Sequence, residues 1–593
     1  MYSKPVLLLS LLLVALVSSC GLPPQSSADL PEIDIPYQKH ILPNGLTVIL
    51  HEDHKAPIVA VNIWYHVGSK DEQAGRTGFA HLFEHLMFQG SENYDDEFFR
   101  PLEQVGATDL NGTTNWDRTN YFANVPTTAL DRLLWMESDR MGHLLGAIDQ
   151  AKLDEQREVV KNEKRQRENV PYGKVWELIA ENTYPEGHPY SWPIIGYMED
   201  LDAASLDDVK NWFRTHYGDA NAVLVIAGDI NPQEALEKVE HYFGDIPAGP
   251  PLSHHTDWTA AMAQSRHIRV EDRVPQARIY KVWNLPPGYS RDTNIMDLTA
   301  GLLAGGKTGR LYKRLVLQDQ LATDVVAAVI PREIGSQFLV WATARADADL
   351  VAVEATLTQE LDRFLAEGPR TDEISSTRMR MFANILRGSE TIGGSSGKSD
   401  ILASSEVYGG TPDAYRQELE WLESATAADI RNTSRHWLRQ GNLTVEVVPF
   451  NDYSVSRAGA DRSKLPDTGT PPDLKLPDFQ RTTLDNGLQI LLAQRTETPL
   501  VELSLVFDAG YAADSMAGKP GVASLTLDML DEGADGQSNV QISSILQSLG
   551  SSVSSGASLD TAYIDLSGLP ETLDKAMDVY ADVVRRPDFP ADE

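Results

Sequence analysis

The stretch Leu42-Pro43-Asn44-Gly45-Leu46-Thr47-Val48-Ile49-Leu50 returns 442 positions later as Leu484-Asp485-Asn486-Gly487-Leu488-Gln489-Ile490-Leu491-Leu492. The echo continues through Pro57/Pro499, Val59/Val501 and Gly68/Gly510, and after one inserted residue through Gly78-Phe79-Ala80 and Gly521-Val522-Ala523. Gly106, Thr119, Tyr121 and Pro126 find counterparts at Gly550, Thr561, Tyr563 and Pro570. One folding unit is therefore used more than once. Each copy opens on an Asn-Gly turn between alternating apolar residues, the pattern of a strand pair, then runs into a helical pattern and another strand. Strands and helices mixed without regular β-α-β alternation favour an α+β fold.

Turn-forming residues mark the breaks. A Pro/Gly/Asp/Ser-rich linker spans 454–475, and Ala248-Gly249-Pro250-Pro251 follows the apolar strand Ala222–Ala227. The chain thus divides into 37–250, 251–453 and 476–593. A length of 593 residues suggests about four domains, but Glu593 maps onto residue 150 of the first copy. The third domain is therefore expected to stop part-way, and the sequence to be a piece of a longer, four-domain chain.

At the N-terminus, Lys4 precedes the apolar run Val6–Val17, followed by Ser18-Ser19 and Cys20, the one cysteine of the chain. The run is too short to span a bilayer and has the layout of a secretory signal. Val17-Ser18-Ser19-Cys20 resembles a bacterial lipobox, which implies a signal over 1–19, acylation at Cys20 and a polar tether over 20–36. Gly21 resembles the pattern of outer-membrane retention, so the expected location is the outer membrane, facing the periplasm, held through the N-terminal lipid only. A single cysteine excludes a disulfide framework and any multi-cysteine metal site. With 51 Lys+Arg against 86 Asp+Glu, a net charge of −35, the chain is not built to bind nucleic acid.

The chemistry is concentrated in Gly78-Phe79-Ala80-His81-Leu82-Phe83-Glu84-His85-Leu86-Met87-Phe88. On a helix His81 and His85 stack on one face, within reach of one metal ion, and Glu84 borders that face. Zinc suits imidazole and carboxylate donors. A carboxylate beside it can take a proton from the attacking water and pass it to the leaving amine. The order His-x-x-Glu-His is the inverted form of the commoner zinc-peptidase motif.

Gly78–Gly90, together with Leu42–Gly68, resembles the M16 metallopeptidases, the group of pitrilysin, insulinase and the mitochondrial processing peptidase. The resemblance implies repeated sheet-and-helix domains set as halves of a clamshell, with His81 and His85 as zinc ligands, Glu84 as base and one zinc per chain. A third ligand is sought in the helical stretch Leu153–Arg165. Glu163 shares a face with Gln156, Val159 and Val160, whereas Glu158 lies about 140° away at 100° per residue. The face with both valines is expected to be buried, which favours Glu163, and the family spacing of 78 residues beyond His85 selects the same residue. Many relatives carry glutamate where this chain has Gln156, so an acid/base role there is in doubt.

Asn111, Gly112, Thr113 and Thr114 resemble the family strand on which substrate peptide pairs by its backbone. His188, in Gly187-His188-Pro189-Tyr190, is expected to be structural. Gly305–Tyr312 reads as a helix-capping turn, and Ile392–Ser399 lacks the first glycine of a phosphate loop. In the second copy of the repeat, His81, Glu84 and His85 become Ser524, Leu527 and Asp528, which cannot make the same site. The function implied is a zinc endopeptidase acting on peptides or unfolded segments, alone or beside another subunit of its kind. The rivals are a non-catalytic scaffold of the same fold and a lipoprotein that binds peptides without cutting them.

Overall fold

The computed structural model describes residues 33–346, 348–450, 479–494 and 499–591. The signal, Cys20, most of the tether and the linker over 454–475 lie outside the described residues. From Ile35 onward the chain forms one unit, and the elements below belong to it. Among the described residues, no helix is long and apolar enough to cross a membrane.

Strands β1 (Gln38–Ile41) and β2 (Thr47–Glu52) flank the Asn44–Gly45 turn. Gly45 has φ +93° there, and a Cβ would lie 2.7 Å from that of Ala220, so the turn needs glycine on two counts. β3 (Ile58–Tyr65), β4 (Thr108–Thr114), β5 (Thr119–Pro126) and β6 (Ala222–Gly228) complete a six-stranded sheet of order β1-β2-β6-β3-β5-β4. β6 is buried along its whole length, as its unbroken run Ala222-Val223-Leu224-Val225-Ile226-Ala227 requires. It enters parallel to β2, with Thr47 opposite Val223, and antiparallel to β3.

Helices α1 (Phe79–Leu86), α2 (Phe99–Glu103), α3 (Leu130–Gly142) and α4 (Gln150–Asn169) contribute to this unit. Leu82, Phe83 and Leu86 of α1 share one core with Val48, Val61, Ile63, Leu133 and Val160. Each such side chain contributes roughly 1.5–3 kcal/mol by leaving water.

The second sheet repeats the plan. β7 (Arg266–Asp272), β8 (Arg278–Leu285), β9 (Ala322–Ile330), β10 (Ser336–Ala344) and β11 (Leu443–Pro449) take the order β7-β11-β8-β10-β9. Its last strand, β11, again inserts parallel to one neighbour and antiparallel to the other. The helix Lys398–Gly409 packs over β6 and β3 of the first sheet.

The third unit has the same parts in two pieces. β12 (Phe479–Thr483) pairs with β13 (Gln489–Ala493), as β1 does with β2. β14 (Val501–Phe507), β17 (Ser552–Ala557) and β18 (Ala562–Gly568) make a separate sheet of order β14-β18-β17, matching β3-β5-β4; a short pair, β15 (Gly533–Ala534) and β16 (Gln537–Ser538), lies apart. Among the described residues no strand joins β13 to β14, the place β6 fills in the first unit. Ile490, Leu491 and Leu492 are accordingly exposed.

The architecture is α+β, as the sequence implies. The glycine turn at 305 does more than expected. Gly305 caps the helix Arg291–Ala304, and the next residues reach the third unit, Lys307 pairing with Glu532 at 3.1 Å and Thr308 bonding Gln547. Lys398 is committed to Asp53 at 2.6 Å, which leaves no phosphate-loop lysine.

Candidate metal centre

Helix α1 starts at Gly78, whose φ of +85° is left-handed and where a Cβ would lie 2.7 Å from the carbonyl of Ile195. The first free N–H groups of the helix, those of Gly78 and Ala80, donate to the Glu72 carboxylate at 3.0 and 2.9 Å. Trp192 Nε1 adds a third bond at 3.0 Å. Glu72 is wholly enclosed, and burial pushes its carboxyl well up despite these donors. A buried acid at a helix N-terminus meets both the orphan N–H groups and the positive end of the dipole. Glu72 therefore fixes where α1 begins and how it is turned.

On the helix so placed, the His81 and His85 rings lie 4.9 Å apart, nearly perpendicular. α4 passes beside them and brings Glu163, whose Oε2 is 3.6 Å from Nε2 of His81 and 3.6 Å from Nε2 of His85. All three donor atoms lie within 4.8 Å of one another. The other Glu163 oxygen pairs with Arg167, one helical turn on. Glu84 faces the same cleft and accepts a bond from the Thr114 hydroxyl.

The donor set fits zinc on observable grounds. A tetrahedral ion with bonds of about 2.0–2.1 Å spaces its ligands roughly 3.3 Å apart, close to the distances found. Burial first, then the neighbouring His85, pushes His81 down to about 4, so its ring is neutral, the form a ligand needs. Its Nε2 is the ring nitrogen that faces Glu163, while Nδ1 is buried without a hydrogen-bond partner. Glu163 is held low by the neighbouring His85, 3.6 Å away, against burial, and is therefore a carboxylate. Glu84 is pushed up by burial, with the Thr114 bond opposing, which moves it toward the range of a working base.

The four chemistry-bearing residues read from the sequence thus converge. The face of α4 that favours Glu163, however, is not buried as its two valines suggest. Val160 is buried, but Val159 is 41% exposed. The buried stripe of α4 is Leu153, Gln156, Val160 and Lys164, spaced three to four residues apart, and Val159 lies a full 100° step off it. Glu163 sits at the edge of that stripe, half-buried, whereas Glu158 points to solvent and pairs with Lys161 at 2.9 Å.

Asn111, Gly112, Thr113 and Thr114 line the cleft of about 470 Å³ together with Phe88 and Phe99. β4 is the edge of its sheet and pairs with β5 alone. Its register slips between Thr108 and Asn111, where Asp109 takes φ +52°. His188 is fully buried, accepts from Tyr190 N at 3.0 Å and meets the Trp258 carbonyl at 2.9 Å, remote from any metal role.

Sequence patterns alone do not single out Glu72, Arg167 or the aromatic pair Phe88/Phe99. Glu72 leaves a usable trace. Asp514 occupies its place in the repeat and accepts from Gly521 N at 2.6 Å and Ala523 N at 2.8 Å.

Comparison with known proteins identifies the family and the fold. The profile described as Insulinase (Peptidase family M16) matches residues 47–194 and 489–593, and that described as Peptidase M16 inactive domain matches 203–381. The chain belongs to peptidase family M16. It is similar to the zinc protease PqqE of Helicobacter pylori, 27% identical over 64% of this chain and 86% of the relative. An uncharacterized zinc protease of Streptomyces coelicolor is 25% identical over 70% of this chain and 90% of its own length. Among solved structures, a protease from Helicobacter pylori superposes with a TM-score of 0.64 at 23% identity, over 70% of this chain and 100% of that one. The periplasmic protease PqqL of Escherichia coli does so at 0.58 and 16%, over 94% of this chain and 67% of that one. These likenesses extend the M16 fold over nearly the whole chain, third unit included.

Proposed function

We propose that this chain is a zinc-dependent endopeptidase that cuts peptides or unfolded protein segments in the bacterial envelope. The observation that carries the reading is the convergence of His81, His85 and Glu163 within 4.8 Å, with Glu84 in the same cleft. His81, His85 and Glu163 would hold one zinc ion. When bound, that ion supplies a Lewis acid at the scissile carbonyl and a lowered pKa for the attacking water.

The chain's own residues do the rest. Glu84 takes the proton of the attacking water and delivers it to the leaving amine, with Thr114 fixing the direction of its carboxylate. The free edge of β4 at Asn111–Thr114 receives the peptide backbone, so affinity depends little on side chains. The apolar wall of Phe88 and Phe99 holds a substrate residue beside the cut. Gln156 has no titratable proton and is left as a buried amide of α4.

Anchoring through acylated Cys20, facing the periplasm, is supported by the lipobox-like N-terminus. The likeness to PqqL, a periplasmic protease, supports the compartment. The likeness to zinc proteases of Helicobacter pylori and Streptomyces coelicolor supports the metal.

The test is a screen of quenched peptides with the protein lacking residues 1–20, before and after chelation. Turnover that a chelator abolishes and zinc restores supports the reading. Binding of one zinc without cleavage of any peptide would return the chain to the scaffold or peptide-binding alternatives.

A further inference from the structure

The turn Asn115–Arg118 joins β4 to β5, and it is held from outside its own sheet. Asn115 O and Trp116 O accept from Ser69 N and Lys70 N at 3.1 and 2.9 Å. The side chain of Lys70, fully buried, donates to Asp117 O at 3.0 Å and to Glu333 Oε2 at 2.7 Å. Glu333 comes from the segment between β9 and β10 of the second sheet. Its backbone N donates to Asp117 Oδ2 at 2.9 Å, and its carboxylate also meets His66 Nε2 at 2.7 Å. On either side of it, Arg332 stacks 3.6 Å over Trp116, and Ile334 N donates to Tyr190 OH, which itself bonds Asp117.

A buried ammonium is tolerable only with its charge matched and its protons placed. Three acids surround Lys70. Asp117 and Asp71 lie at 3.7 and 3.9 Å, and Glu333 makes the one carboxylate bond below 3 Å. Burial alone would push the Glu333 carboxyl up, but the His66 bond and the Lys70 charge outweigh it and bring it down to about 2. The anion is thus held at neutral pH, and its position in turn fixes Lys70, Asp117 and the turn. β4 ends at Thr114, the residue that bonds the base, one step before that turn.

We propose that Glu333, supplied by the second sheet, is a positioning residue for the peptide-binding edge of the first, holding the β4–β5 turn so that Asn111–Thr114 stay aligned with Glu84. The inference rests on the reading that β4 receives substrate. It gives the second unit a defined part in substrate binding at a centre whose His81, His85 and Glu163 all lie in the first.

Glu333→Gln tests it. The substitution keeps size and leaves Lys70 its two aspartates, and unchanged exchange over 79–86 together with unchanged zinc content checks that the fold is retained. Glu354→Gln, which removes the carboxylate paired with Lys281 at 2.6 Å elsewhere in the second unit, is the control. The expected result for Glu333→Gln is a KM for quenched peptide raised about fivefold or more with zinc content unchanged, because the edge that binds the peptide has been displaced, and a kcat lowered by a smaller factor, because Thr114, which orients Glu84, moves with that edge. Hydrogen exchange of residues 108–118 should also quicken while that of 79–86 does not, and Glu354→Gln should change neither. An unaltered KM, or equal effects in both variants, overturns the proposal. Should the wild type cut no peptide, the peptidase reading falls. The exchange measurement then decides alone: faster exchange over 108–118 upholds the positioning role, and unchanged exchange overturns it.

Discussion

The first and third units start their key helix in the same way and use it differently. Gly78 and Gly521 both take left-handed backbone, at φ +85° and +92°, and in both an acid a few residues earlier, Glu72 or Asp514, receives the helix's first N–H groups. Beyond the cap the two diverge. The first helix presents His81, Glu84 and His85 to a cleft that Glu163 closes. The third presents Ser524, Leu527 and Asp528, and Leu527 is buried in its own core. The capping device is therefore a requirement of the fold, met with or without chemistry, and the proposed metal site is an addition that needs α4 as well.

The largest effect that could break this contrast is on zinc. Removing a ligand from the first helix, His81→Ala, is expected to weaken zinc binding by more than about a hundredfold, since two donors cannot replace three. Ser524→Ala at the matching position should leave zinc binding unchanged. Competition with a chromophoric chelator measures both. Retained affinity in His81→Ala would place the metal elsewhere.

A smaller effect sharpens the part played by the caps. Glu72→Gln keeps a carbonyl for one N–H but gives up the second acceptor. Zinc affinity should fall about tenfold, the range seen when groups behind a ligand are altered. Asp514→Asn should cost the third unit stability and leave zinc affinity as it was. Equal zinc loss in both variants would mean that the two caps are not independent.

The smallest effect concerns the Asn-Gly turns. Asn44 accepts from Leu46 N at 3.4 Å, and Asn486 from Leu488 N at 3.1 Å, so the turns are alike. Asn44 is also tied down by the buried Asp219 and by the carbonyls of Phe243 and Ile246. Burial, and then Asp245, push Asp219 up to about 8. The unfolded chain releases that proton near pH 4, about the ordinary value for aspartate, so between roughly pH 4 and 8 the folded state holds more protons and stability falls as pH rises. Asp219→Asn removes the penalty. Its melting temperature should exceed that of the wild type at pH 8.5 and approach it at pH 4.5; a gap that is constant with pH would contradict the assignment.

What can be read from the sequence is whatever local spacing dictates. The repeat, its turns and the His-x-x-Glu-His face follow from residues within a few positions of one another, and the structure builds each of them. Glu163 is reachable because helical periodicity limits which carboxylates share a face. The face itself is misjudged at Val159, because burial is decided by what packs against a helix and not by its own apolar residues. Glu72 is reached only through its counterpart Asp514 in the repeat, and Glu333 is out of reach. The first is a lone acid in an unremarkable loop until α1 folds back over it. The second acts on a turn more than 200 residues earlier in the chain. Distance in sequence, 176 residues from Thr47 to its partner Val223, likewise hides the insertion of β6 between β2 and β3, which no local pattern foretells.

The central claim is that the first unit alone carries a working peptidase centre with Glu84 as its base. Glu84→Gln, assayed beside the wild type at equal zinc content, tests it most directly. One zinc per chain is expected in both proteins, with turnover lower by about 10³-fold in the variant, within the range for loss of a general base. Turnover equal to that of the wild type, with zinc still bound, would contradict it.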